Sequence, residues 1–285
     1  MNITATRPSP SMPTAAHHTP ATAPLTRDRH DDIAAVPAAV RSEWIKIRSL
    51  RSTPAMLGLT VVIGVLLSWI LATFVKTDPN THKVFTVGQT FIFSTWLTTV
   101  LAIVMGALLF TSEVEHGTLA TTATAQPARW VTVAAKTVIG ASLGLAMGIV
   151  GMIAGLGGAV LGGLQTGNTS GVVFTVLWGL LLTTLAPLFG LGVGMIIRNS
   201  AAAISSVLIW ALVIDHLIRS FAPPHLSRLT PFSAANGLLG IRSAGDTSAT
   251  VAAALSRAND ALLFSGYTVA ILAIGTALLS RRDAD

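Results

Sequence analysis

The sequence predicts an all-α membrane protein with six transmembrane helices, and its composition and charge distribution support this prediction. The 285 residues are 52% apolar and only 11% charged, with a mean hydropathy of +0.69. Soluble domains carry about 25% charged residues, whereas a helix that crosses a bilayer needs about 20 consecutive apolar residues. Three long segments contain no charged residue at all: 52–75, 84–112 and 137–197. Such runs are too long for the core of one small soluble domain, so we expect a multi-pass membrane protein.

Six spans can be placed between the charged and polar interruptions. The uncharged block 137–197 divides at QTGNTSG (165–171), a polar, glycine-containing stretch that is typical of a turn. The fifth span follows Arg198, and the sixth lies between Asp260 and the Arg281–Arg282 pair. The predicted spans are 54–75, 87–111, 137–164, 172–197, 200–218 and 261–280.

The distribution of basic residues predicts the orientation. Loops on the cytoplasmic side of a membrane carry an excess of Lys and Arg. With the N-terminus inside, 12 of the 18 basic residues lie on the cytoplasmic side and the other six lie outside. The sequence therefore predicts that both termini are cytoplasmic, and that the chain resides in the cell (plasma) membrane.

Two different segments precede the first span. Residues 1–37 are rich in Pro, Ala, Thr and Ser, which predicts a disordered tail. Residues 38–52, AAVRSEWIKIRSLRS, carry apolar side chains at helical spacing with basic residues between them. This pattern predicts an amphipathic helix at the membrane surface, with Trp44 at headgroup depth and its bases toward anionic lipid. A solvated juxtamembrane stretch is the alternative.

Several classes of function are excluded by missing motifs. The chain has no cysteine, no phosphate loop of the type G-x-x-x-x-G-K-[ST], no H-E-x-x-H and no G-x-S-x-G. Its seven histidines show no metal-ligand spacing, and its bases flank the apolar runs instead of forming a nucleic-acid patch. We therefore expect no catalytic, cofactor, metal or nucleic-acid site.

Asp215, next to His216, is the one acid that approaches the middle of a predicted span. An ion-coupled secondary transporter would place acids at such a depth. Because Asp215 falls near the outer end of the fifth span, we favour a cap at the membrane–water boundary. Proton relay remains the alternative.

Charged residues cluster again in the loop 112–136, which belongs to the stretch TSEVEHGTLATTATAQPARWVTVAAK from Thr111 to Lys136. Gly117 allows a sharp break, and Thr118 can cap a short helix that ends before Pro127. Arg129 and Lys136 would anchor the next span at the inner interface. The residues alone leave two interpretations open, a partner-docking helix and an ordinary loop.

Small residues recur at four-residue spacing in the third and fourth spans. Glycine at this spacing lets helices approach closely in lipid. Packing within the chain is the expected role, and sliding surfaces or a dimer contact are the alternatives. The glycines concerned are Gly140, Gly144, Gly148, Gly151, Gly155, Gly190 and Gly194.

The order of these features along the chain is similar to the order found in a known family. RSEWIKIRSLRS precedes the first span, EVEHGT follows the second, and PARWVTVAAK precedes the third. LTPFSAANGLL (229–239) adds a weaker similarity. Over about residues 38–285 the chain thus resembles the permease subunit of a bacterial type-2 ABC transporter.

The resemblance implies a separate ABC ATPase subunit as partner and a second permease copy, identical or different, that completes the pore. It also implies a coupling helix between the second and third spans that docks on the ATPase. The implied coupling residues are Glu113, Glu115, Gly117, Thr118, Pro127, Arg129 and Lys136. The implied surface-helix residues are Glu43, Trp44, Lys46 and Arg48.

Cargo is indicated only by the polarity of the spans. Because the spans lack charge at mid-depth, we expect export of a hydrophobic or amphipathic compound such as a drug, an antibiotic, a peptide or a lipid. A competing hypothesis is an immunity or sensor subunit that binds a toxic peptide without transporting it, with the 220–260 loop as its binding surface.

Overall fold

The computed structural model describes residues 29–49, 52–77, 87–118, 128–164, 169–241 and 254–282. All the regular secondary structure within these residues is helical. A π-helical turn, Trp210–Ile214, joins α6 to α7. The helices are α1 (Arg29–Ser49), α2 (Ser52–Thr77), α3 (Val87–Glu115), α4 (Arg129–Leu161), α5 (Thr169–Ile197), α6 (Ser200–Ile209), α7 (Asp215–Phe221), α8 (Pro224–Ser227), α9 (Pro231–Leu239) and α10 (Arg257–Arg282).

Six helical segments are long and apolar enough to cross a membrane, which confirms the prediction of an all-α protein with six spans. The α6, π-turn and α7 segments together make the fifth. The segments are Thr53–Phe74, Phe91–Glu115, Arg129–Leu161, Val172–Ile197, Ser200–Phe221 and Arg257–Arg281. Their orientation in the membrane stays a prediction.

Three spans form the centre of the bundle. In the most apolar stretch of α3, 72% of the residues are buried, and in the corresponding stretches of α4 and α5 the share is 56% each. The corresponding share for the first, fifth and sixth spans is 22%, so these lie at the periphery. The central helices therefore determine the packing, and the peripheral helices expose broad apolar faces that suit contact with lipid.

Close contact between α4 and α5 depends on a proline and a glycine that face each other. Pro187 lies inside α5 and has no N–H, so the carbonyl of Thr183 loses its usual helical donor. A Cβ atom at Gly144 of α4 would overlap this carbonyl oxygen and also the Pro187 ring. Because Gly144 has no side chain, the two backbones can meet at the position where α5 lacks one of its helical hydrogen bonds.

The glycines that recur every four residues in α4 lie against other helices of the same chain. Gly140, Gly144 and Gly148 face α5, where the nearest atoms belong to Leu188, Thr183 and Pro187. Further along, Gly151 lies against Thr60 and Thr98, and Gly155 lies against Phe91, Ser94 and Ser68, so this part faces α2 and α3. In α5, Gly190 and Gly194 approach the backbone of α3 at Ile103 and Ala107.

The first helix begins earlier than the sequence predicts. α1 starts at Arg29 instead of 38, so the prediction of disorder is wrong for residues 29–37, and residues 1–28 lie outside the described residues. Two physical features favour this longer helix: alanines are strong helix formers, and Asp32 stands near its N-terminus, where the helix dipole favours acids.

The second and third spans also extend further into the charged loop than predicted. α3 continues to Glu115 instead of ending at 111, and α4 begins at Arg129 instead of 137. The sequence prediction ended these helices where charges appear. Glu113 and Lys136, which the prediction left outside the spans, belong to these helices and lie 2.8 Å apart.

Candidate functional site

Four charged side chains meet where the ends of α1, α3 and α4 come together. We call them the charge cluster: Glu43, Lys46, Glu113 and Lys136. The Lys136 ammonium donates to Glu43 Oε2 at 2.9 Å and lies 2.8 Å from Glu113 Oε1. The Lys46 ammonium lies 2.7 Å from Glu43 Oε1 and 3.0 Å from Glu113 Oε1. Each lysine therefore contacts both glutamates.

Burial makes these contacts strong. The Lys136 side chain is 2% exposed, that of Glu43 is 7% exposed and that of Glu113 is 12% exposed. Lys46 is 39% exposed and closes the cluster on its solvent side. The Lys136 ammonium also donates to the carbonyl oxygen of Leu109 at 3.2 Å. Two positive and two negative charges compensate each other, which a buried ionic group requires.

The surroundings shift two pKa values at α1. Burial alone would raise the pKa of Glu43, but the ammonium groups of Lys136 and Lys46 outweigh this and hold the pKa below its usual range. Partial burial alone would lower the pKa of Lys46, but its hydrogen bonds to Glu43 and Glu113 outweigh this and raise the pKa. Both groups therefore stay charged at neutral pH.

The sequence places these residues by simple helical geometry. Glu43 and Lys46 are three positions apart and share one face of α1. Glu113 belongs to the last turn of α3, and Lys136 lies two turns into α4. Helices α3 and α4 run in opposite directions on either side of the loop, so the two residues come to the same level.

The structure thus joins two groups of residues that the sequence assigned to different elements. Glu43 and Lys46 were expected on a surface helix, and Glu113 and Lys136 on the coupling loop. Their mutual contacts were missed. The sequence did contain a signal for these contacts: Glu113 directly follows the uncharged segment 84–112, and Lys136 directly precedes the uncharged segment 137–197. A buried lysine requires such acids, but the sequence does not show which helices meet.

A second contact joins the end of α3 to the start of α6. Glu115 Oε1 accepts a hydrogen bond from the backbone N–H of Ser200 at 2.7 Å. The Ser200 hydroxyl also donates to Thr111 Oγ1 at 2.8 Å. The side chain of Asn199 accepts from the N–H of Ala202 and caps α6. The end of α3 is therefore fixed to α1, α4 and α6 together.

Helix α3 ends at Glu115, two residues before the glycine that was expected to break the chain. Gly117 has a φ of +68°, in the left-handed region that side chains other than glycine rarely adopt. The Thr118 hydroxyl donates back to the carbonyl of Glu113 at 3.4 Å. Residues 119–127, which include Pro127 and most of the expected coupling helix, lie outside the described residues. The described chain resumes at Ala128, and Arg129 begins α4.

The other two predicted surface-helix residues lie on the opposite side of α1. Trp44 is 45% exposed, and Arg48 is also exposed. Neither belongs to the charge cluster. The apolar residue of α1 that enters the core is Ile47, which is 3% exposed. The apolar side chains predicted to share one face of this helix therefore point to different sides: Ile47 faces the bundle and Trp44 faces outward.

Asp215 lies at the opposite end of the bundle from the charge cluster, and its role as a cap at the membrane–water boundary stays a prediction. The residue is fully buried. One carboxylate oxygen lies 3.1 Å from Arg219 Nε, and the other accepts a hydrogen bond from the Thr230 hydroxyl. Because Thr230 is the N-cap of α9, Asp215 attaches this short helix to α7.

The six long apolar helices are those of a multi-pass membrane protein. Comparison with protein families identifies its type. Residues 39–215 match the family described as ABC-2 family transporter protein, and this match covers more than half of the chain. The chain therefore belongs to the ABC-2 family and is a permease subunit of an ABC transporter, a non-catalytic subunit that associates with an ATPase subunit.

The matched region contains all four members of the charge cluster and ends at Asp215. A search of curated proteins gave no match to the chain.

Proposed function

We propose that this chain forms the substrate pathway of an ABC exporter and is driven through the loop 112–136 by a separate ATPase subunit. The charge cluster is the observation that carries the proposal. Glu113 lies in the last turn of α3 and Lys136 lies two turns into α4, on either side of the segment that joins these helices. Lys136 pairs with both Glu113 and Glu43 of α1. A partner that pushes on the loop would therefore act on α1, α3 and α4 together.

Buried charges make this connection stiff. Separating Lys136 from its two carboxylates would leave ionic groups without partners in a site with little water, which is costly. The helix ends should therefore move as one unit when the ATPase closes on ATP. Movement of α3 and α4 would change the bundle from inward-open to outward-open, because these two helices belong to its centre.

The proposed orientation places the charge cluster on the cytoplasmic side, where ATP is available. The excess of Lys and Arg on that side supports it. We propose a hydrophobic or amphipathic cargo, since the residues that separate the charged ends of the spans are uncharged over long runs such as 137–197. The complex would contain a second permease copy, identical or different.

A glycine substitution tests the coupling role without disturbing the cluster. Gly117→Leu should strain the turn, because φ at Gly117 is +68°, although a Cβ atom there meets nothing within 4 Å. Gly157→Leu is the matched control, since Gly157 also has open space around its Cβ position and an ordinary helical backbone. The measurement is co-purification of the ATPase subunit and the stimulation of ATP hydrolysis by substrate.

We expect Gly117→Leu to lower ATPase co-purification or stimulation in protein that still folds and inserts into the membrane, whereas Gly157→Leu should behave as wild type. Normal coupling in Gly117→Leu would contradict the proposed role of the loop. Drug accumulation in cells with and without the chain tests export: loss of an exporter raises the intracellular concentration, and loss of a binding-only immunity subunit does not.

A further inference from the structure

Two residues alone join the fourth span to the fifth, and their backbone turns sharply. Helix α5 ends at Ile197 and α6 begins at Ser200, so only Arg198 and Asn199 lie between them. Arg198 has a φ of +59°, in the left-handed region that a residue other than glycine adopts at a cost in backbone strain. Asn199 is extended, with a φ of −134° and a ψ of 126°. The helical hydrogen bonds of α5 therefore do not continue into α6, and the turn between them has the character of a hinge.

The start of α6 is instead attached to the end of α3. Glu115 Oε1 accepts a hydrogen bond from the Ser200 N–H at 2.7 Å, and the Ser200 hydroxyl donates to Thr111 Oγ1 at 2.8 Å. Thr111 is fully buried, and its hydroxyl donates onward to the carbonyl of Ala107 at 3.1 Å. The first N–H groups of a helix lack partners within it and carry partial positive charge, so a carboxylate is stabilising there.

The side of α6 that faces the bundle also lies along α3. Its buried residues are Ala203 and Val207, which are one turn apart on one side of the helix. Within the described residues, α6 makes more of its contacts with α3 than with α5, although α5 directly precedes it in the chain. The fifth span as a whole is peripheral, with 22% of its most apolar stretch buried. Movement of α3 should therefore carry the first half of the fifth span with it.

The last turn of α3 faces two ways. Glu113 and Glu115 are two positions apart, which places them about 200° from each other around the helix axis at 3.6 residues per turn. Glu113 accordingly contacts Lys46 and Lys136 of the charge cluster, whereas Glu115 contacts Ser200 of α6. The same helix end thus belongs both to the charge cluster and to the attachment of the fifth span.

We propose that Glu115 is a positioning residue that transmits movement of the end of α3 to the fifth span, with the turn at Arg198 and Asn199 as the hinge between α5 and α6. This role rests on the proposed function, because the ATPase subunit must act on the loop 112–136 before any movement can be transmitted. It adds the fifth span to the helices that the charge cluster connects. A hydrogen bond to an ionised carboxylate suits the role, because it is about twice as strong as one between neutral groups.

Substitutions at Ser200 and Glu115 test the two sides of this contact. Proline lacks an N–H and is favoured at the first position of a helix, which is where Ser200 stands. The extended backbone of Asn199 is also the conformation that proline requires of the residue before it. Ser200→Pro should therefore keep α6 intact and remove the donor to Glu115 together with the hydroxyl, whereas Ser200→Ala removes the hydroxyl alone. Glu115→Ala removes the acceptor, and Glu115→Gln keeps an acceptor oxygen on a side chain of the same length.

A single fluorophore reports the movement of each helix. The chain has no cysteine, so Ser205→Cys on α6 and Val138→Cys on α4 each give one exposed labelling site. Each chain is labelled with a polarity-sensitive fluorophore and studied in nanodiscs with its ATPase subunit bound. Emission is compared without nucleotide and after addition of ATP and vanadate, which traps the ATPase during hydrolysis. Position 138 reports the movement of α4 that the proposed function requires, and position 205 reports the movement of the fifth span.

Emission should change at both positions in the chain that carries no further substitution. In Glu115→Ala and in Ser200→Pro, we expect the change at position 205 to fall at least about fivefold, the lower end of the usual range of coupling between two sites. The change at position 138 should remain. Ser200→Ala and Glu115→Gln should retain most of the change at position 205, because a donor N–H and a side-chain acceptor are still present. A residue that only stabilises the fold would not separate the two positions in this way.

A full change at position 205 in both Glu115→Ala and Ser200→Pro would overturn the role of Glu115 while the proposed function stands. Equal loss at both positions would also overturn it, since Glu115 would then act on the binding of the ATPase subunit and not on the fifth span. Absence of a change at position 138 without further substitution would contradict the proposed function itself. Because Glu115 is exposed, Glu115→Ala should give folded protein even if Ser200→Pro does not.

Discussion

Lys136 and Glu43 are 93 residues apart in the sequence, yet the Lys136 ammonium donates to a Glu43 carboxylate oxygen at 2.9 Å in a buried site. This one ion pair joins α1, which precedes the first span, to α4, which follows the loop between α3 and α4. Glu113 completes the link, since the same ammonium lies 2.8 Å from its carboxylate. In a permease subunit, such a link connects the loop proposed to contact the ATPase with three helices at once.

Removal of Lys136 should be costly. Lys136→Met leaves two glutamates in a buried site without their main partner, so we expect a loss of about 3–5 kcal/mol in the free energy of unfolding. Lys46→Met is the control, because Lys46 is 39% exposed and pairs at an exposed site contribute about 0–1 kcal/mol. Thermal or denaturant unfolding in detergent measures both.

The same cluster predicts a rescue. Combining Lys136→Met with Glu43→Gln and Glu113→Gln removes all three buried charges and leaves only Lys46, which is 39% exposed and can be hydrated. A buried site without charges is often as stable as a buried ion pair. The triple variant should therefore be more stable than Lys136→Met alone. A triple variant that is less stable would show that mutual neutralisation is not the reason these residues meet.

Stability should fall in acid because of Glu43. Its pKa is lower in the folded protein than the ordinary value of 4.5, so its contribution is fully present above pH 4.5. The contribution is lost as pH falls through the folded-state pKa. We expect the melting temperature of the wild type to drop below pH 4.5 more steeply than that of Glu43→Gln. Parallel pH profiles for the two proteins would refute this.

Gly144 should not tolerate a methyl group. Gly144→Ala places a Cβ atom on the Thr183 carbonyl and the Pro187 ring, and such overpacking costs about 1–3 kcal/mol. Gly157→Ala in the same helix has nothing within 4 Å of its Cβ and should be neutral or slightly stabilising. Melting temperatures of both variants test the contact. Equal values would mean that α4 and α5 do not meet as closely as described.

Asp215 should control the attachment of α9. Asp215→Ala removes the acceptor for the Thr230 hydroxyl and the partner of Arg219. We expect amide hydrogen exchange in Pro231–Leu239 to become at least about tenfold faster, since loss of about 1.4 kcal/mol of local stability has that effect. His216→Ala, which changes an exposed neighbour, should leave the exchange of α9 unaltered.

The sequence was informative about spans because each depends on local composition. A run such as 137–197 lacks charge, and no soluble fold explains that lack. The break at Gly117 was also local, since only glycine adopts its φ of +68° without strain. These features required no knowledge of which helices are neighbours.

The charge cluster could not be predicted in this way because it depends on contacts between distant helices. Glu43 and Lys46 look like solvated residues of a basic surface helix until α4 places Lys136 beside them. The same contact lies inside α4, which begins at Arg129, ahead of the predicted start of the third span at 137. Trp44 was assigned to the membrane surface, and the structure places it on the outward side of α1.

Cross-linking between the loop and the ATPase subunit tests the central claim most directly. The chain has no cysteine, so Thr122→Cys, in the middle of the loop, and Ser220→Cys, at the far end of the bundle, each provide one site for a photoactivated cross-linker. The complex is purified from its native membrane with the ATPase subunit bound. We predict that the reagent at position 122 forms a product with the ATPase subunit and that the reagent at position 220 does not. Absence of the product at position 122 in a complex that still contains the ATPase would contradict the claim that this loop drives the permease.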